Sequence, residues 1–212
     1  MAPARSPKAH MRKPASVVLD TSIFVNPDVR GSFGSTPTEA LDTFLAIAAR
    51  IPILEFYMPP SIFEELLSFI DRDKLPGDLL VYLHQRPPKK YEMTTPAFFL
   101  YELIEDLRDR INKGLRIAEK AVRGAEGKKP DEVIQDLRRK YREALREGII
   151  DSKEDVDMIL LAKELDALLV TADKGAIKWA EKLGIEWLVP ESFYEYLMSS
   201  IKKAEAISKE TL

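Results

Sequence analysis

The sequence predicts an α/β protein: a parallel, doubly wound sheet interrupted by a long helical hairpin. Three observations carry that reading. Strand and helix patterns alternate in residues 16–85 and again in 148–212, the arrangement in which crossover helices join parallel strands. Two short apolar runs, Val17-Val18-Leu19 and Leu168-Leu169-Val170, each lead into an aspartate, Asp20 and Asp173. Residues 86–147 lose the strand pattern and turn charged and helical.

Taken in order, residues 1–15 place Arg5, Lys8, Arg12 and Lys13 among prolines and alanines. This reads as a disordered basic arm, without the apolar middle of a signal peptide, on a cytoplasmic protein. Val17 to Leu19 form a buried strand, and in an open α/β sheet ligands sit beyond the carboxyl ends of strands, where Asp20 falls. Asp20 has a plainer reading as well, a turn capped with Thr21 and Ser22. Residues 26–35 read as a loop from their Asn, Pro and Gly content. Thr38, or Thr36 with Glu39, then caps a helix carrying Leu41, Phe44, Leu45 and Ala48 on one face. Ile53 to Met58 is a second strand. Ser61 is expected to cap the next helix, which buries Ile62, Phe63, Leu66, Leu67 and Ile70 and carries Glu64 and Glu65 in its first turn.

Pro87-Pro88 marks a break, Tyr91 to Thr95 suggests a short strand, and Pro96 to about Val122 reads as one long helix. Residues 124–130 are a turn, and Asp131 to Glu147 form a second helix, completing a hairpin. This segment holds 16 basic and 12 acidic residues, a charge of +4, whereas the rest of the chain carries −7. Cations gather near the tip at Lys113, Arg116, Lys120, Arg123, Lys128 and Lys129, and again from Arg138 to Arg146. A solvated helix face is also charged, but a basic projection on an acidic body points to a polyanionic partner. Leu103, Ile104, Leu107, Ile111, Leu115 and Ile117, with Ile134, Leu137, Tyr141 and Leu145, exceed what two paired helices hide. Association of subunits through this hairpin or the C-terminal helix is therefore expected.

The last third returns to alternation. Asp151 to Asp157 lead into the buried helix Met158-Ile159-Leu160-Leu161-Ala162, and Leu168 to Thr171 form a strand. Gly175 to Leu183 form a helix, Ile185 to Val189 a strand, and residues 191–205 an amphipathic helix.

With 212 residues, 45% of them apolar, the chain can build one good core, and no apolar run approaches membrane-spanning length. It has no cysteine and only two histidines, His10 and His84. Disulfides, thiolate metal sites and multi-histidine zinc sites are thereby set aside, and any metal must be held by oxygen, which favours Mg²⁺ or Mn²⁺. Asp151 and Asp155 stand four apart, an unfavourable like-charge pair on a helix face unless a cation sits between them. Asp151 also reads as an N-cap with Glu154 completing a capping box. Ser22 and Thr171 stand where a hydroxyl positions a ligand or, more commonly, satisfies a backbone group.

Val18-Leu19-Asp20-Thr21-Ser22, Ile62-Phe63-Glu64-Glu65-Leu66, Asp155 with its apolar helix, and Val170-Thr171-Ala172-Asp173 together resemble the motif elements of the PIN nuclease family. The Ser32-Phe33-Gly34 loop, the Arg110 to Arg116 stretch and the helical insertion are similar to one branch of it, the minimal protein-only ribonuclease P. The resemblance implies a PIN-like α/β/α domain built from residues 16–85 and 148–212, with residues 86–147 inserted. It implies metal-binding aspartates at Asp20, Asp151, Asp155 and Asp173, with Glu65 as the helix acid beside Glu64 and Asp157 as an outer candidate. It further implies cleavage of the 5′ leader from precursor tRNA with no RNA subunit, and a large homo-oligomer, a dodecamer among the candidate sizes.

Clustered carboxylates holding one or two Mg²⁺ ions suit phosphodiester hydrolysis with no covalent enzyme intermediate. A toxin-type PIN endonuclease, a flap-type nuclease acting on DNA, and a non-catalytic RNA-binding partner of an RNA ligase are the competing readings.

Overall fold

The structure, a computed structural model, describes residues 15–74, 77–94, 96–146 and 152–210; side chains are described except at 145–146 and 207–210. The basic arm (apart from Ala15) and Asp151 lie outside the described residues. In chain order the elements are β1 (Ala15–Leu19), α1 (Ser22–Val25), α2 (Pro27–Arg30), α3 (Pro37–Ala48), β2 (Leu54–Met58), α4 (Pro60–Phe69), α5 (Leu79–Tyr82) and β3 (Leu83–Gln85). There follow α6 (Phe98–Arg123), α7 (Pro130–Arg146), α8 (Lys153–Leu165), β4 (Leu168–Val170), α9 (Lys174–Leu183), β5 (Trp187–Leu188) and α10 (Pro190–Glu210).

The five strands lie in the order β3-β2-β1-β4-β5 and every pairing is parallel. The expected α/β/α sheet is therefore present, and its connections reverse direction between β1 and β4, the position at which such sheets open a crevice. The two-residue period of β1 divides the core. Val17 and Leu19 face one layer with Phe24, Phe44, Phe56 and Phe193, while Val18 faces the other with Met158, Leu161, Leu169 and Trp179. Strands buried on both faces explain why their sequences read as unbroken apolar runs.

Several local expectations change. Residues 26–35 are not all loop: Asn26 accepts the Asp28 N–H at 3.0 Å and starts the single turn of α2. Thr36 is the cap of α3, accepting the Glu39 N–H at 3.2 Å. Ser61 does not cap α4. That helix opens with Pro60 preceded by Pro59, whose fixed φ and missing N–H suit a helix start, so Ser61 falls inside it. Tyr91 and Glu92 form a turn rather than a strand, with Tyr91 95% exposed and outside the sheet of the described residues; Thr95 lies outside the described residues. β3 has no counterpart among the sequence expectations, because its three residues are too few to show a period.

The hairpin is fixed to the body at its base. Phe99 packs on Trp179 with ring centroids 4.8 Å apart. Asp106, almost fully buried, accepts from Lys178 of α9 at 3.1 Å, and Lys182 pairs with Glu102 while lying 4.9 Å from the Trp179 ring centroid. Beyond the base, Gly114 lets α7 approach so closely that a Cβ there would stand 2.6 Å from the Tyr141 ring. Leu103, Ile104, Leu107, Ile111, Leu115, Ile134 and Tyr141 remain exposed, Ile117 and Leu137 are half-buried, and Leu145 lies outside the described side chains. Among the described residues no helix is long and apolar enough to cross a membrane.

Candidate active site

The carboxyl ends of β1 and β4 lie side by side because Leu19 pairs with Val170 and the Asp20 N–H donates to the Val170 carbonyl at 3.1 Å. The two strand-end aspartates therefore emerge at the same place. Ser22 and Thr171 donate to the same oxygen of Asp20, Oδ2, at 2.8 and 2.7 Å. Asp173 is the N-cap of α9 and accepts the Ala176 N–H at 2.6 Å. Ser152, not Asp151 with Glu154, caps α8: its hydroxyl accepts the Asp155 N–H at 3.0 Å and donates to the Asp155 carboxylate at 2.7 Å.

Apart from the buried Thr171, these groups line one open cavity of about 640 Å³, with Asp20, Glu65, Asp155 and Asp173 on its walls. Sequence reasoning named all four. The cavity also takes in Glu154 and Ser61, which it had read as cap residues. The signal for Glu154 was present in its place beside Asp155 on the first turn of α8, where side chains tilt toward the helix N-terminus. Between the two neighbouring acids of α4, only Glu65 lines the cavity. Asp157 does not line it: it pairs with Lys90 at 3.3 Å, on the side of α8 that faces α6. Asp151 lies outside the described residues, so its expected part is not placed.

The electrostatics are those of crowded like charges. Burial pushes the Glu65 carboxyl above its ordinary value, the Asp20 carboxylate pushes it further, the Thr21 hydroxyl opposes this, and Glu154 adds to it. Thr21 reaches both acids, 3.3 Å from Asp20 and 3.4 Å from Glu65. Among the described residues no three acidic or histidine side chains meet closely enough to ligate an ion as they stand; the acids ring the cavity. An all-oxygen ring with excess negative charge suits a hard divalent cation such as Mg²⁺ or Mn²⁺.

Of the tip cations, Arg116, Lys120, Arg123, Lys128 and Lys129 are exposed, whereas Lys113 is half-buried and engaged within the chain. The basic residues of α7 are partly neutralised on their own helix, Arg139 by Asp136 and Glu143, and Lys140 by Asp136.

Residues 16–202 match the family model described as PINc domain ribonuclease. A protein of Thermodesulfovibrio yellowstonii named RNA-free ribonuclease P is 56% identical over 190 residues, 90% of this chain and 97% of its own length. Proteins of the same name from Pyrococcus horikoshii and Halorhodospira halophila are 53% and 46% identical, over 88% and 82% of this chain and 93% and 84% of theirs. With the parallel sheet, the acid-lined crevice at its switch point and these matches along nearly the whole chain, the protein belongs to the PIN-domain ribonuclease family, in the group whose members are named RNA-free ribonuclease P.

Proposed function

We propose that this chain is an endoribonuclease that removes the 5′ leader of precursor tRNA without an RNA subunit, using Mg²⁺ or Mn²⁺ held by Asp20, Asp151, Asp155 and Asp173. The observation that carries the chemistry is the convergence of two strand-end aspartates, Glu65 and Asp155 on one cavity. The names of the relatives carry the substrate. Glu65 is the next candidate to hold the ion. Asp157, engaged by Lys90, has the weakest claim.

A divalent ion in that ring supplies charge neutralisation at the scissile phosphate and acidifies a water. The chain's own part is to hold the acids fixed. Ser22 and Thr171 orient Asp20, the α9 cap orients Asp173, and Ser152 orients Asp155. Hydrolysis then leaves a 5′-phosphate on the tRNA and a 3′-hydroxyl on the leader, with no covalent enzyme intermediate.

Substrate choice has to come from contacts remote from the phosphate, since every phosphodiester presents the same group to the acids. The hairpin supplies such contacts. Its long helix of 26 residues extends ~39 Å at 1.5 Å per residue, comparable to the reach from a tRNA's 5′ end to its elbow. Five exposed cations stand at its far end. The hairpin, from the same or a neighbouring copy, grips the elbow and measures the distance to the cut. Its exposed apolar residues support a homo-oligomer, a dodecamer among the sizes considered, and the reaction belongs in the cytoplasm with its substrate.

One assay separates the competing activities: precursor tRNA, single-stranded RNA and flap DNA are compared with and without Mg²⁺. Leader removal from precursor tRNA alone, only with the metal, is expected. Preference for unstructured RNA or flap DNA would overturn the substrate assignment, and equal cleavage in chelator would overturn the metal.

A further inference from the structure

We infer that Ser22 and Thr171 are a matched pair of positioning residues that lock Asp20 and Asp173 into one metal-binding unit. The inference rests on the metal assignment proposed above and assigns roles to two hydroxyls that are not themselves expected ligands.

Both side chains make the same two bonds. The Thr171 hydroxyl donates to Asp20 Oδ2 at 2.7 Å and accepts the Asp173 N–H at 3.0 Å. The Ser22 hydroxyl donates to that same Oδ2 at 2.8 Å and accepts the Ala172 N–H at 3.3 Å. A hydroxyl has one proton. With a backbone N–H directed at each hydroxyl oxygen, that proton is committed to the carboxylate, so each bond fixes the direction of the other. Thr171 is fully buried, which removes water as a substitute partner.

The pattern has two effects on the cavity. Oδ2 of Asp20 already takes two short bonds, while among the described residues Oδ1 receives only the longer Thr21 contact at 3.3 Å, so Oδ1 is the oxygen left for a cation. The N–H groups that are gripped belong to Ala172 and Asp173 themselves. The turn that aims Asp173 is thus tied to the carboxylate of Asp20 across the strand switch. The same two hydroxyls thus hold the carboxylate of Asp20 and the backbone that carries Asp173. Groups of this kind around a metal ligand commonly change metal affinity by about 10–100-fold when removed.

The test measures Mn²⁺ binding directly, by electron paramagnetic resonance of the free ion, beside the Mg²⁺ dependence of precursor cleavage. Ser22→Ala and Thr171→Val are each expected to weaken Mn²⁺ binding by at least about fivefold and to raise the Mg²⁺ requirement in parallel. Thr171→Ser, which keeps both bonds, should restore affinity to within about threefold of the parent. Thermal melting and circular dichroism identify variants that have lost the fold; if Thr171→Val is among them, Ser22→Ala decides. Folded variants whose Mn²⁺ affinity changes by less than about fivefold would reduce the pair to backbone satisfaction and overturn the inference. Asp20→Asn is the control that separates the two levels. Undiminished Mn²⁺ binding by that variant would sink the metal assignment, whereas its loss beside unchanged Ser22→Ala and Thr171→Val would sink only the pair.

Discussion

One oxygen of Asp173 is occupied in holding the first turn of α9, through the Ala176 N–H, so its carboxylate serves the helix and the cavity together. Substitutions separate those uses. Asparagine caps a helix about as well as aspartate, whereas alanine forfeits about 1 kcal/mol. Asp173→Asn should therefore melt close to the parent yet lose leader cleavage by on the order of 10³-fold, the equivalent of several kcal/mol of charge stabilisation. Asp173→Ala should lose activity and stability alike, and precursor-tRNA binding should survive in both. Asp20→Asn should behave like Asp173→Asn, and near-normal turnover by either would refute the site. Glu65 adds a pH signature. Its carboxyl titrates above its ordinary value in the folded protein, so the fold binds that proton more tightly than the unfolded chain does. Stability from this group is present at low pH and is lost as pH rises through the ordinary and then the raised value. A cation offsets the repulsion that remains. Melting curves should accordingly show Mn²⁺ raising Tm more at neutral pH than near about pH 5, and Glu65→Gln should blunt that difference.

Among the elements, α6 and α7 come especially close at one point. The missing Cβ of Gly114 makes room for the Tyr141 ring. Gly114→Ala would gain helix propensity of about 1 kcal/mol but lose part of it by forcing the Tyr141 ring aside. Adding Tyr141→Ala should remove most of that loss, and the non-additivity in a double-mutant melting cycle is the measurement. Periodicity made the large elements legible: the apolar strands, the faces of α3, α4 and α10, and both hairpin helices could be located within a few residues. It failed on pieces too short to carry a period, namely α2, α5 and β3. It also misassigned two caps, at Ser61 and at Ser152, where several cap-forming residues stand together and only the chain's path chooses between them. The site was legible for a related reason. Aspartates at the ends of two buried strands announce themselves in sequence, and their meeting needs only β1 beside β4. Glu154 was read from the sequence only as a cap residue, because its place on the cavity wall depends on what lies beyond the helix end. Asp157, named as an outer candidate from the acid-rich run 151–157, pairs with Lys90 and does not line the cavity.

For the whole molecule the decisive property is the division of charge. On the proposed function, a body at −7 carrying a hairpin at +4 should meet RNA hairpin-first, in an encounter that weakens as salt rises. Alanine at Arg116, Lys120, Arg123, Lys128 and Lys129 should weaken precursor-tRNA binding and flatten the logarithmic salt dependence by as much as about 4. Cleavage of a short unstructured RNA should hardly change; equal losses on both substrates would assign these residues to folding or assembly. The exposed apolar residues of α6 and α7 make a second expectation at this scale. Light scattering at micromolar concentration should return a mass well above one chain, and a monomer would contradict it.

The buried clamp at the foot of the hairpin turns a 26-residue helix into a lever with a short, fixed arm and a long free one. Phe99 and Asp106 are seven residues apart, about 10 Å along the axis, and Arg123 lies a further ~26 Å beyond. By simple proportion, play of 1 Å at the foot grows to roughly 2.5 Å at the tip, a sizeable part of the spacing between neighbouring phosphates. With RNA held at the tip as proposed, the accuracy of the cut is expected to be set at the foot. Asp106→Asn or Lys178→Met, neither of which touches a tip cation, should leave affinity nearly intact but scatter the cut over adjacent nucleotides, as end-mapping of the released leader would reveal.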